Sequence, residues 1–342
     1  MVKTEDNDMA KERTQFCIEC RKETGYEIRR GQCTHCIKGQ EYTFNILKAV
    51  CEECGEEVNL PGLMDTNAKL IDEQYRELEN LVSVEDINTL MEVYNIGKAP
   101  LSLALGFGEI TITRYLQGQY PSIEYSNIIR KALFDAGFMM DCLEENKAKV
   151  GDTAFKKSWS AAMKLKELVD SVSEKMLITI SYIFEKTGEI TPLALQKILY
   201  YIQGIFMVNY GRPLFSEECQ AWVHGPVYEK VYDMFKGFKY NPIEDKRFVI
   251  FRDRFQMLTD EEKEVIDMVL NSFGMYSGKT LERITHKEAP WADAYDDDNV
   301  CGYTNEPITK DAIRDYFKSV SHEFDLKSEE GLKKYIQKQL AC

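Results

Sequence analysis

At 342 residues the chain is longer than one ordinary domain and has room for two or three, at roughly 150 residues per domain. Hydrophobic residues make up 44% and charged residues 29%, a globular composition that excludes a disordered chain. A formal charge of −14 excludes a uniformly basic nucleic-acid coat, so any DNA contact must come from a local patch.

In chain order, residues 1–16 are polar and charged with no apolar run, so no export signal is expected. The longest stretch without a charged side chain runs from Ile198 to Gly211. It suits a buried helix and is too short to span a bilayer. A cytoplasmic chain with no membrane partner is the expectation.

Six of the ten cysteines form Cys-x-x-Cys pairs: Cys17/Cys20, Cys33/Cys36 and Cys51/Cys54. The remainder, Cys142, Cys219, Cys301 and Cys342, read as reduced thiols. Clustered pairs without an export signal point to metal ligation before disulfides. A pair delivers two thiolates at once to a tetrahedral zinc ion, and all-cysteine sites are closed and structural. About sixty residues also bury too little core to fold without such a staple. Spacing leaves the choice of pairs open. The gap from Cys20 to Cys33 is twelve residues, from Cys36 to Cys51 fourteen, and from Cys20 to Cys51 thirty. Geometry favours Cys17, Cys20, Cys51 and Cys54. Gly55 can take positive φ behind the third pair, whereas Arg21 does so less easily. Cys33 and Cys36, if they lie in a strand before a Lys38-Gly39 hairpin tip, point to opposite faces. They stay as alternative ligands or spare thiols.

From residue 65 the period becomes helical. Ile71, Tyr75, Leu78 and Val82 share one face, and a second helix buries Val84, Ile87, Leu90, Met91 and Tyr94 behind a Ser83–Asp86 capping box. Residues 98–118 read as two short helices about a Gly106-Phe107-Gly108 turn, with Ser102 small at their crossing. The second, Glu109 to Gln117, exposes Glu109, Ile110, Thr113, Arg114 and Gln117 on its outer face. These side chains suit a major groove: arginine for guanine, threonine and glutamine for bases or phosphate, isoleucine for a thymine methyl. Residues 95–134 hold four basic and two acidic side chains, a local excess of +2.

Residues 141–172 are rich in lysine and glutamate and read as a helical or flexible linker. Thr191-Pro192 then opens an almost wholly apolar helix ended by Gly211, which places it at the centre of a bundle. A further helix over 260–273 starts from a Thr259–Glu262 capping box. Asp296-Asp-Asp298 reads as a solvated turn. No catalytic order of Ser, His and Asp, nor any phosphate-cradling glycine loop, stands out. His286 with Glu288 reads as a packed or capping pair more readily than an acid–base pair. No enzyme is expected.

The helix pair, with its Leu105-Gly106 turn and Thr111-to-Gly118 ending, resembles the Xre/Cro helix-turn-helix. With the cysteine pairs before it, the N-terminal part resembles the MqsA-type antitoxins, in which a zinc-binding domain precedes a dimeric, operator-binding domain. The thirty-residue gap matches that pattern, and the resemblance tips the ligand set toward Cys17, Cys20, Cys51 and Cys54. It also places Arg114 as a base-contacting arginine, while Ile110 departs from a polar base reader. Gln196-Lys-Ile-Leu-Tyr-Tyr-Ile-Gln-Gly204, Tyr210-Gly-Arg-Pro-Leu-Phe215, Ala221-Trp-Val-His-Gly-Pro-Val227 and Thr285-His286 with Pro290-Trp291 resemble the SocA-like, or Panacea, antitoxin domain.

The resemblances imply a mainly α, multidomain protein. A small β-rich zinc-binding domain (1–64) precedes a helix-turn-helix DNA-binding domain (65–140), a linker (141–172) and an α-rich SocA-like/Panacea domain (173–342). They imply a type II antitoxin that neutralises a cognate toxin through its C-terminal domain. As a homodimer it would bind operator double-stranded DNA and regulate its own transcription. The toxin-contacting residues are not legible. A prophage-type regulator without a toxin, or a protease adaptor for a partner protein, are the rival expectations.

Overall fold

The computed structural model of the chain describes residues 14–295 and 303–341; the Asp296–Asp298 run, Cys301 and Cys342 lie outside the described residues. The molecule is mainly helical, with a small antiparallel sheet at its N-terminal end. It divides into two compact units, residues up to 90 together with 98–131, and residues 91–97 together with 132 onward.

The first unit opens with strands β1 (Thr14–Cys17), β2 (Lys22–Ile37) and β3 (Gln40–Cys51), in that order across the sheet. β2 and β3 pair in register from Tyr26↔Cys51 to Ile37↔Gln40. Their turn, Lys38-Gly39, has positive φ at both residues, which matches the right-handed strand twist of a tight hairpin. A lone hairpin is marginal in water, and helix α1 (Leu63–Leu78) closes its outer edge. The Asn67 amide accepts from Leu47 N at 2.9 Å and donates to Leu47 O at 2.8 Å. Gln74, two helical turns on, accepts from Asn45 N and donates to Asn45 O, both at 2.8 Å. Side-chain amides thus satisfy backbone groups that another strand would otherwise pair.

Phe44, Tyr75 and Leu81 form a core between hairpin and helix, with Tyr42, Ile71 and Tyr120 packed on it. Leu78, expected on this face, is 61% exposed. The helix ends there, and the chain turns through positive φ at Asn80 before burying Leu81 and Val82. Arg76 is buried instead, its Nε on Asp72 at 2.8 Å, its Nη1 on Val82 O at 3.0 Å and its guanidinium over the Tyr120 ring.

Helix α2 (Val84–Val93) starts from the expected capping box: Asp86 N donates to Ser83 Oγ at 2.9 Å and Ser83 N to the Asp86 carboxylate at 3.1 Å. Helices α3 (Lys98–Ala104), α4 (Thr111–Leu116) and α5 (Ile123–Phe134) follow.

The second unit runs through α6 (Ala136–Glu145), α7 (Lys147–Val150) and α8 (Asp152–Ser171). Of the two forms expected for the Lys/Glu-rich stretch, it takes the helical one. Phe155, Ser158, Ala162, Leu165 and Leu168 are buried at helical spacing, and Ser158 Oγ donates to Tyr94 O at 2.7 Å. Then come α9 (Glu174–Thr187) and α10 (Pro192–Tyr210), which is buried from Leu195 to Met207. Thr191 caps α10, Pro192 starts it and Gly211 ends it in the left-handed region, as the sequence predicts.

Around α10 lie strands β4 (Cys219–Trp222) and β5 (Gly225–Val227), α11 (Glu229–Phe235), α12 (Asp260–Phe273), α13 (Gly278–Thr285) and α14 (Ala289–Ala292). β6 (Tyr303–Ile308) completes a sheet of order β5-β4-β6, and α15 (Lys310–Val320) and α16 (Glu329–Ala341) finish the unit. The Thr259–Glu262 capping box of α12 is formed. No helix among the described residues is long and apolar enough to cross a membrane.

Candidate metal centre and recognition surfaces

The sheet brings the first and third cysteine pairs together. Cys17 ends β1, Cys51 ends β3, and Cys20 and Cys54 follow in the adjoining turns. Cys17 Sγ lies 3.5 Å from Cys54 Sγ, and Cys20 Sγ 3.9 Å from Cys51 Sγ, with all four sulfurs within 4.8 Å of one another. Four thiolates each 2.3 Å from a tetrahedral ion stand about 3.8 Å apart. The donor set therefore fits a metal that prefers sulfur and tetrahedral geometry.

The two turns are built alike. Cys20 N points at Cys17 Sγ and Glu53 N at Cys51 Sγ, each at 3.4 Å. The residue after each second cysteine has positive φ, 53° at Arg21 and 78° at Gly55. Arg21 thus adopts the conformation that its Cβ disfavours, because the turn geometry at the sulfurs requires it. Thr24 Oγ1 lies 3.2 Å from Cys51 Sγ. The Thr24 hydroxyl and backbone N–H groups bring the Cys51 thiol down to about 6. The neighbouring Cys54 sulfur, with burial, pushes Cys20 up. Cys33 and Cys36 stand outside this cluster. They lie in β2, Cys33 packed toward Phe44 and Cys36 exposed, on alternate faces of the strand.

The α3–α4 pair shows how a short helix is held. Gly106 at φ 75° ends α3, with Phe107 N on Ser102 O at 2.8 Å and Gly106 N on Leu103 O at 3.1 Å. This double return bond satisfies the last carbonyls of the helix. The second helix begins at Thr111 rather than Glu109, which corrects the expected start. Its N-cap position is Ile110, which has no side-chain oxygen. Ser102 supplies the missing acceptor from the neighbouring helix: its Oγ accepts from Ile112 N at 3.0 Å while donating to Lys98 O at 3.0 Å. Leu101, Leu105, Ile112 and Tyr115 are buried. Glu109 and Ile110 are exposed in the turn, Arg114 is exposed on α4 and Gln117 at its C-cap, and Thr113 is half-buried.

In the second unit the motif residues of α10 act as side-chain ties to the segments around it. Gln196 accepts from Tyr228 N at 2.8 Å, and Gln203 accepts from Leu214 N and Phe215 N at 3.0 and 2.9 Å. Lys197 is fully buried and donates to Pro226 O at 2.9 Å; desolvation brings it down to about 7. At Gly204 an added Cβ would overlap the Phe317 ring, so the absent side chain lets α15 close in. Trp291 Nε1 donates to Trp222 O at 2.8 Å, and His286 stacks on the Trp291 ring at 3.9 Å. Glu288 does not pair with His286. Its carboxyl is buried among tyrosines, accepting from Tyr201 at 3.0 Å and from Tyr335, and desolvation pushes it up to about 7. His224 Nδ1 lies 3.1 Å from the Glu282 carboxylate.

Most of these residues lie in the stretch that matches a known family. Residues 195–292 match the family described as Antitoxin SocA-like, Panacea domain. The Panacea match covers the centre of the second unit, from α10 to α14. Over 113 residues the chain is also 32% identical to Antitoxin SocA of Caulobacter vibrioides (strain NA1000 / CB15N). That alignment takes in 30% of this chain and spans 58% of the relative's length. No solved structure matches the chain. The motif residues singled out in the sequence are thus mostly ties and close approaches, which sequence alone could not separate from contacts with a partner.

Proposed function

We propose that this protein is the antitoxin of a toxin–antitoxin system. Its Panacea domain binds and neutralises a cognate toxin directly. Its N-terminal part, held by a zinc ion on Cys17, Cys20, Cys51 and Cys54, binds operator DNA and autoregulates transcription. The similarity of residues 195–292 to the SocA-like antitoxin domain carries the toxin-binding half of this reading. The functional segments are taken as 1–64, 65–140 and 173–342, joined through 141–172.

The zinc ion, when bound, neutralises the thiolates and ties the ends of β1 and β3 into one small core; it performs no chemistry on a substrate. Glu109, Ile110, Thr113, Arg114 and Gln117 form the DNA-reading surface. In a homodimer two such surfaces lie about 34 Å apart on a palindromic site. The local excess of positive charge, set within an acidic chain, makes this binding dependent on salt.

The test is co-expression of the full chain with the product of its neighbouring gene. Growth rescue and co-purification of the two proteins are expected. If the neighbour is harmless and does not co-purify, the protein is a regulator without a toxin, and only the DNA-binding half survives. Arg114→Ala is expected to abolish a gel shift on the chain's own promoter while leaving rescue intact. Loss of rescue with retained DNA binding would assign the roles the other way round.

A further inference from the structure

Lined largely by residues of the matched stretch, the second unit holds a cleft of about 700 Å³. It is bounded by the starts of α10 and α13, the β4–β5 turn and the segment after α11. Its apolar surface includes Pro192, Trp222, Val227 and Tyr232, while Val223 and Tyr240 stand 40% and 83% exposed at its mouth. Such a volume accepts one or two large side chains.

Charge marks the rim. Lys236, Lys239, Lys279 and His224 line the cleft, and none of its lining residues is acidic. Just behind the lining Asp233 pairs with Lys236 at 2.9 Å, and Glu282 with Lys279 at 2.9 Å and His224 at 3.1 Å, so that Lys239 alone of the four has no ion-pair partner among the described residues. The N-termini of α10 and α13 add partial positive charge to the same wall. With Asp233 and Glu282 counted, the three lysines still leave a small positive excess, centred on Lys239, which favours a carboxylate on whatever enters.

The mouth is also held in place from behind. The β4–β5 turn is fastened at Trp222 O by Trp291, at Pro226 O by Lys197 and at His224 by Glu282. At Gly225, with φ 92°, a Cβ would stand 2.7 Å from Thr285 Oγ1. The motif residues thus support a rigid tip that carries Val223 and His224. On the opposite lip Lys239 sits at φ 57°, ψ −110°, a conformation that costs energy and is kept only where the surroundings impose it.

We propose that this cleft is where the toxin docks, and that it takes a toxin segment with an aromatic or aliphatic side chain flanked by carboxylates. The inference rests on the antitoxin reading above.

The test uses the full chain and the purified toxic product of the neighbouring gene. Lys236→Glu with Lys239→Glu is expected to weaken binding about 100-fold, and Tyr240→Ala about 10-fold, both with unchanged melting curves. Lys333→Glu with Lys334→Glu, on α16, serves as the control and is expected to leave affinity unchanged. Replacing the toxin's docking carboxylates with lysine is expected to restore binding to the reversed cleft. Wild-type affinity in the cleft variants overturns the proposal while the antitoxin reading stands. Failure of the wild-type chain to bind the toxin overturns both. A change in the chain's own oligomeric state with unchanged toxin affinity overturns the proposal and assigns the cleft to a second copy.

Discussion

Ser102 shows how one small side chain sets the geometry of a helix pair. Its hydroxyl is fully buried and replaces the N-cap that Ile110 cannot provide to α4. Ser102→Ala leaves the Ile112 N–H without its partner and is expected to cost about 1–2 kcal/mol, measured by urea denaturation. The serine's small size was legible in the sequence as a close crossing; its role as a cap was not, because the acceptor comes from another helix. Arg21 is the converse case. It occupies a left-handed position that glycine fills in the matching turn at Gly55. Arg21→Gly is expected to stabilise the metal-bound protein by about 1 kcal/mol, read from the melting temperature, because it relieves the backbone strain.

Among the elements, the N-terminal sheet depends on what is attached to its ends and edge. β2 and β3 present polar, exposed residues along much of their length, so hydrophobic burial contributes little there. The sulfur cluster and the Asn67 and Gln74 amides supply the remaining ties. Chelation of the metal is accordingly expected to expose residues 14–60 to proteolysis, while α10 and its neighbours stay protected. On the proposal that the four thiolates hold zinc, Cys51→Ser is expected to lose at least nine-tenths of the metal, and Cys33→Ser with Cys36→Ser almost none, by metal analysis of the purified chain. Both capping boxes and the two ends of α10 were legible in the sequence because they are local. The amide ties of α1 were not, since nothing in a lone Asn or Gln says that a strand edge lies beside it.

Across the second unit, two buried ionisable groups oppose each other in their response to pH. Burial raises Glu288 from 4.5 to about 7. Between those values the folded chain holds a proton that the unfolded chain has released, so stability falls as pH rises, by about 3 kcal/mol over the window. Burial lowers Lys197 from 10.5 to about 7. Between those values the unfolded chain holds the extra proton, so stability rises with pH, by an amount on the order of 5 kcal/mol. Together they place a stability minimum near neutrality. Denaturant titrations from about pH 5 to about pH 9 check it, and Glu288→Gln is expected to flatten the acidic side alone.

By itself the sequence determined the local devices: the cysteine turns, the helix starts and stops, and the apolar run of α10. Each depends on residues within a few positions of one another, where backbone geometry and side-chain chemistry are read directly. It also carried the stretch similar to the SocA-like, Panacea domain. Only the tertiary structure decided which cysteines converge, that Arg76, Lys197 and Glu288 are buried, and that motif residues tie α10 to its surroundings. Only there do Lys236, Lys239, Lys279 and His224 share one rim. The reason is distance along the chain: burial, desolvation and charge clustering are set by groups that meet only once the helices have packed.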